Sequence, residues 1–227
     1  MLDAIYRAAR GRIGALAAGL GDHQLRTPVP ATPGWTVHDV LAHLVGGAAD
    51  VLAGRLDGAP GDSWTGRHVA ERRALPIEEL LDEWERAAPA VESSLPEQHT
   101  GPNLAADAIC HEADLHEALG LPRTDREHWQ PFLDVMGYFP GRRLRDTATL
   151  VITDELGQEW HCGSGVSVTV LRADGYELLR GVFSRRSRRQ IAAWDWSPEP
   201  LGQLVDGFGA FGPRDDDQPI PPPGRLT

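Results

Sequence analysis

Between Asn103 and Leu119 the chain spells a helix that cannot stand alone. Leu104, Ala108, His111, Leu115 and Ala118 recur at the three- and four-residue intervals of one helix face. Gly120 and then Pro122 supply the stop. His111 lies within that apolar stripe, where an unpaired imidazole is costly. Other elements must therefore cover the stripe and give the ring a partner. The same segment carries two carboxylate–imidazole pairs four residues apart, Asp107 with His111 and Glu112 with His116. Either pair, held on a rigid helix, presents half of a metal site. Such pairs are equally ordinary on a solvated helix surface.

The best candidate for the other half is His43. Trp35-Thr36-Val37-His38-Asp39-Val40 is a strong helix start: Thr36 caps, Asp39 takes the reciprocal position, and Trp35 can staple onto Val40. The apolar stripe continues through Leu41, Leu44, Val45, Ala48, Val51 and Leu52, with His43 beside it. Gly46 and Gly47 follow, each costing about 1 kcal/mol relative to alanine in a helix interior. They suit a close approach by something else, a neighbouring helix included. Residues 2–20 and 77–95 have helical spacing as well, and a fifth helix is expected from Glu127 to about Arg143. Gly58 to Gly66, around Trp64, reads as a loop. These helices predict an antiparallel bundle over residues 1–145, able to build a site from facing helices.

The pattern changes near residue 146. Thr147 to Thr153 alternates like a strand, Asp154 to Gly157 reads as a turn, and Gln158–Cys162 and Val166–Leu171 are further strands, with Val166, Val168 and Val170 sharing one face. Tyr176 to Phe183 has helical spacing, and Ala192 to Trp196 suits a last strand. The expected class is α+β: the bundle, a small α+β domain over 146–213, and a disordered proline-rich tail over 214–227.

Composition excludes several functions. A net charge of −11 argues against nucleic acid as a partner. No apolar run reaches the roughly 18 residues of a membrane span, and the first residues lack a signal-peptide pattern. Two cysteines, Cys110 and Cys162, form no CxxC and no disulfide framework. The expectation is a cytoplasmic protein with reduced thiols, monomeric or homodimeric, acting on a small molecule. All 22 basic residues are arginine, which removes Schiff-base lysine chemistry and a Walker-type loop. Gly207-Phe208-Gly209-Ala210-Phe211-Gly212 matches GxGxxG literally, but no βαβ unit surrounds it. The run Arg185-Arg186-Ser187-Arg188-Arg189 suits either a solvated cluster or an arginine that grips a carboxylate bidentately.

Thr32-Pro33-Gly34-Trp35-Thr36-Val37-His38-Asp39-Val40-Leu41-Ala42-His43-Leu44 resembles a signature of the mycothiol-dependent maleylpyruvate isomerase family, within the DinB-like bundle superfamily. Asp107 to Gly120 resembles that family's second signature, a carboxylate, three residues, then His-x-x-Asp-Leu. Gly181 to Trp196 looks like its C-terminal domain. The resemblance implies a divalent metal, usually zinc, held by His43, Asp107 and His111, with aspartate where family members typically carry glutamate. It also implies mycothiol as thiol cosubstrate, and Arg185 as the catalytic arginine holding an anionic group. The implied activity is isomerisation or S-transfer on a small electrophilic, carboxylate-bearing substrate. Two rivals stand beside it: a bundle that binds a small molecule or metal without turnover, and metal-activated hydrolysis.

Overall fold

The computed structural model describes residues 2–95, 103–136, 148–200, 202–209 and 211–222. Its contacts form two units, residues 1–124 with 221–227, and residues 125–220.

The first unit is the helical bundle. Helices α1 (Leu2–Ala18), α3 (Val37–Ala53), α5 (Ile77–Ser94) and α6 (Leu104–Ala118) pack on one another, with short α2 (Asp22–Leu25) and α4 (Asp62–Arg72) against or beside α3. The start of α3 is the expected capping box: Asp39 N–H donates to Thr36 Oγ1 at 3.3 Å, and Thr36 N–H to Asp39 Oδ2 at 2.9 Å. Twelve of its 17 residues are buried, so α3 is the central helix rather than a one-faced surface helix. Helix α4 replaces most of the loop expected between Gly58 and Gly66. Its buried residues Trp64, His68 and Arg72 are spaced by four, with Val69 beside them, but the helix is short, polar overall and interrupted by Gly66, so tertiary packing decides it.

Tyr6 and Trp84 join α1 to α5. The indole N–H donates to the buried Tyr6 hydroxyl at 2.7 Å, and burial pushes the Tyr6 pKa up to about 12. Tyr6→Phe orphans that N–H, so an unfolding free energy lower by about 1–3 kcal/mol is expected in denaturant melts. An unchanged midpoint would refute the bond's role.

The second unit holds a four-stranded sheet in the order β2-β1-β3-β4. Strand β1 (Thr149–Thr153) pairs antiparallel with β2 (Glu159–Gly163) and parallel with β3 (Val168–Arg172); β3 pairs antiparallel with β4 (Asp195–Ser197). Asp154 organises the β1–β2 turn, its Oδ1 accepting from Leu156 and Gln158 N–H. One sheet face buries Leu150, Ile152, Trp160, Cys162 and Leu171. Val166 and Val168 are exposed and Val170 half-buried, so the three-valine face is the outer one.

Helices α8 (Gly175–Val182), α9 (Arg188–Ala192) and α10 (Gly202–Asp206) complete this unit, together with α7 (Arg126–Met136). Composition placed α7 in the bundle. It packs instead on α8: Trp129 meets Tyr176 edge-on at 6.0 Å, and Arg126 pairs with Asp154 and Glu155. The division therefore falls at 124 rather than 145. The rest of the fifth helix lies outside the described residues.

Residues 214–222 of the expected tail are held in place, and its last residues, 223–227, lie outside the described ones. Ser187 Oγ donates to Asp217 at 2.5 Å, Gln218 N–H to Gln190 Oε1 at 3.0 Å, and Arg123 N–H to the Pro222 carbonyl at 3.2 Å. Proline-rich composition predicts disorder because it offers little apolar surface. Here polar partners hold the segment instead. Gly209, with φ +82°, sits against Ser184; a Cβ there would come within 2.2 Å of the Ser184 hydroxyl. The GxGxxG match is thus a packing turn. No helix among the described residues is long and apolar enough to cross a membrane.

Candidate metal centre

Two helices of the bundle bring together the three residues singled out above. His43 comes from α3; Asp107 and His111 come from α6, one turn apart. One ligand atom from each lies within 4.8 Å of the others. Asp107 reaches both rings: Oδ2 is 3.2 Å from His43 Nε2, and Oδ1 is 3.5 Å from His111 Nε2. Both histidines are buried, while the Asp107 side chain is 31% exposed. The cluster is therefore closed by the bundle on the imidazole side and open on the carboxylate side.

Each imidazole is backed by a further acid. Asp114, fully buried one turn below His111, lies 2.9 Å from its Nδ1, off the straight line of an N–H donor. His43 Nδ1 lies 3.1 Å from Nδ1 of His68, whose Nε2 is 3.1 Å from Asp50 Oδ2. Asp50 also meets Arg55 at 2.6 Å, and Arg67. Burial alone would raise the Asp50 pKa, but hydrogen bonds from Arg67 and His68 and the nearby charges outweigh it and hold the carboxyl below its usual range. Burial pushes His68 down to about 4, against the hydrogen bond to Asp50. Aromatic rings close the rest: Trp35 lies 5.2 Å from His43 and Trp64 lies 6.2 Å from it.

The second pair on α6 goes elsewhere. Glu112 receives a bidentate pair from Arg12 at 2.7 and 2.8 Å, and His116 Nδ1 sits 2.7 Å from the Pro122 carbonyl. Neither points into the cluster of His43, Asp107 and His111. Arg185 belongs to the other unit, half-buried on the turn after α8, with Nη1 donating to the Phe183 carbonyl at 3.0 Å. Its neighbour Arg186 is fully buried on Glu177 at 2.5 and 2.8 Å, so the arginine run is not one solvated patch.

The donor set fits a divalent first-row ion: two imidazole nitrogens and a carboxylate, with His68 on the other nitrogen of His43 and the Asp114 carboxylate 2.9 Å from that of His111. His68 escapes sequence reasoning because α4 escapes it, and Asp50, though on α3, takes its partners His68 and Arg67 from that missed helix. A signal existed in the four-residue spacing of Trp64, His68 and Arg72.

Residues 6–106 match the family described as the mycothiol maleylpyruvate isomerase N-terminal domain. The match contains His43 and ends one residue before Asp107. Among solved structures, the chain resembles a crystal structure of the mycothiol-dependent maleylpyruvate isomerase, with a TM-score of 0.60 and 13% identity over 88% of this chain and 93% of that one. A histidine-to-alanine mutant of that enzyme gives a TM-score of 0.59 at 12% identity, with the same coverage. At such identities the likeness is one of fold. No curated protein sequence matches the chain.

Proposed function

From a chain whose N-terminal bundle belongs to the mycothiol maleylpyruvate isomerase N-terminal domain family, we propose a metal-dependent, thiol-dependent enzyme. It is an isomerase or S-transferase with mycothiol as cosubstrate and a small electrophilic acid as substrate. The single observation that carries this reading is the convergence of His43, Asp107 and His111 from two helices. These three residues would hold the ion, zinc being the first candidate for such a set. Held by these residues, a divalent ion would supply Lewis acidity that lowers a thiol's pKa toward neutral pH. His111 is oriented by Asp114, and the Trp35 and Trp64 rings keep bulk water from the His43 side. Arg185 is the proposed anion holder, since a guanidinium matches a carboxylate bidentately.

Zinc-loaded protein is expected to bind mycothiol more tightly than metal-free protein, and to accelerate its addition to a cis-enone acid such as maleylpyruvate. Arg185→Ala should raise the KM for the acid more than that for the thiol. If zinc-loaded protein leaves a range of such acids at the uncatalysed thiol rate, the proposal fails. Product formation independent of thiol would instead mark hydrolysis.

A further inference from the structure

We infer that His68 and Asp50 form a buried relay that fixes which nitrogen of His43 faces the candidate metal centre, which makes His68 a positioning residue for the ion. The inference rests on the metal reading above, and concerns two residues that neither α3's capping signature nor the α6 pairs point to.

The argument is one of proton counting. Asp50 is fully buried beside Arg55 and Arg67, and an ionised carboxylate only accepts hydrogen bonds. The proton in the 3.1 Å contact with His68 therefore sits on His68 Nε2. A neutral imidazole carries one N–H, so His68 Nδ1 is an acceptor. The 3.1 Å contact from His43 Nδ1 then needs its proton on His43. That leaves His43 Nε2 as a bare lone pair, 3.2 Å from an Asp107 oxygen that is also an acceptor. Two acceptors at that distance repel unless a cation or a proton lies between them. The relay thus presents to the centre the nitrogen form that a metal requires. The opposite chain, with His43 Nδ1 accepting, needs a proton on Asp50 or a second proton on His68. Two guanidiniums oppose the first, and the second would add a charge to a fully buried ring whose acid is already paired with both of those guanidiniums.

The packing around His68 is as specific as its hydrogen bonds. Its ring stacks on His43 at 5.3 Å and 22°, with Trp64 edge-on at 4.2 Å. It occupies the gap left by Gly46: a Cβ on that residue would lie 2.4 Å from His68 Cβ and 2.6 Å from Cγ. The Cβ is fixed by the α4 backbone, so no rotamer change relieves the closest of these contacts. Gly46 is accounted for in this way; a Cβ on Gly47 would meet Trp64 and Leu104 only at 3.7 Å, an ordinary packing distance.

Zinc affinity, measured by competition with a chromophoric chelator, is the test, with long-range proton–nitrogen NMR of the imidazoles alongside. His68→Phe should bind zinc about 10–100-fold more weakly. His68→Gln, whose amide oxygen can accept from His43 Nδ1–H, should recover most of that loss. Gly46→Ala removes no polar group and should weaken zinc by displacing the ring. In the wild-type spectrum, metal-free or zinc-loaded, the His68 proton should be on Nε2. A proton on His68 Nδ1, or equal zinc affinity in wild type and His68→Phe, overturns the relay. Wild-type protein that takes up no zinc while keeping the His68 proton on Nε2 and a proton on His43 Nδ1 overturns the metal reading and upholds the relay.

Discussion

His111→Ala and His43→Ala should each reduce divalent-ion affinity more than about 100-fold, beyond the loss expected for a supporting residue. Asp107→Ala should weaken it severely, and His116→Ala should leave it nearly intact. The reason is the partition of the two pairs on α6. Asp107 and His111 meet His43, whereas Glu112 is neutralised by Arg12 and His116 rests on a backbone carbonyl. Drawing Glu112 into a metal site would break a bidentate pair and leave the Arg12 guanidinium unmatched. Metal content of protein purified without chelator or nickel affinity, followed by chelator competition, measures all four variants. Loss of metal in His116→Ala with retention in His111→Ala would transfer the carboxylate ligand to Glu112. Wild-type protein that stays metal-free after incubation with zinc, nickel and manganese would remove the site altogether.

The second large effect lies in the other unit and concerns stability. Glu177→Ala should cost about 3–5 kcal/mol of unfolding free energy, because it strips the carboxylate from a guanidinium that has no exposure. Arg188→Ala and Arg189→Ala, only a few residues away, should each cost less than about 1 kcal/mol, since those side chains are 59% and 82% exposed. Denaturant melts of the three variants make the comparison. Similar losses in all three would show that the run acts as one surface cluster. The contrast matters for function, because Arg185 sits between the buried Arg186 and the end of α8. If Arg185→Ala melts as the wild type does, its effect on turnover can be assigned to substrate rather than to folding.

How far the site was legible depends on how local each cause is. The α3 start is written in adjacent residues, Thr36 and Asp39, so its capping box needs no tertiary information. The choice of His111 over His116 follows from helical period alone, because a ring on the apolar stripe faces the core. The turn at Asp154–Gly157 is equally local. His68 is different. Its helix is short and polar, and what places it is the gap at Gly46, on the preceding helix. The tail is different too: Ser187 and Gln190 hold Asp217 and Gln218 across about 30 residues, and no window of sequence contains both halves of those bonds.

Sequence by itself therefore determined the long helices α1, α3, α5 and α6, the strands β1 to β3, and the inward face of α6 that carries His111, since periodicity, caps and turns act over a few residues. Tertiary structure alone decided that α7 joins the second unit, that the arginine run divides into buried and exposed members, and that His43 is backed by a second histidine and a buried acid. Those outcomes depend on burial and on hydrogen-bond partners far away in the chain. An imidazole's tautomer, and a guanidinium's tolerance of burial, are set by whatever the fold brings to the other side of the ring or the charge.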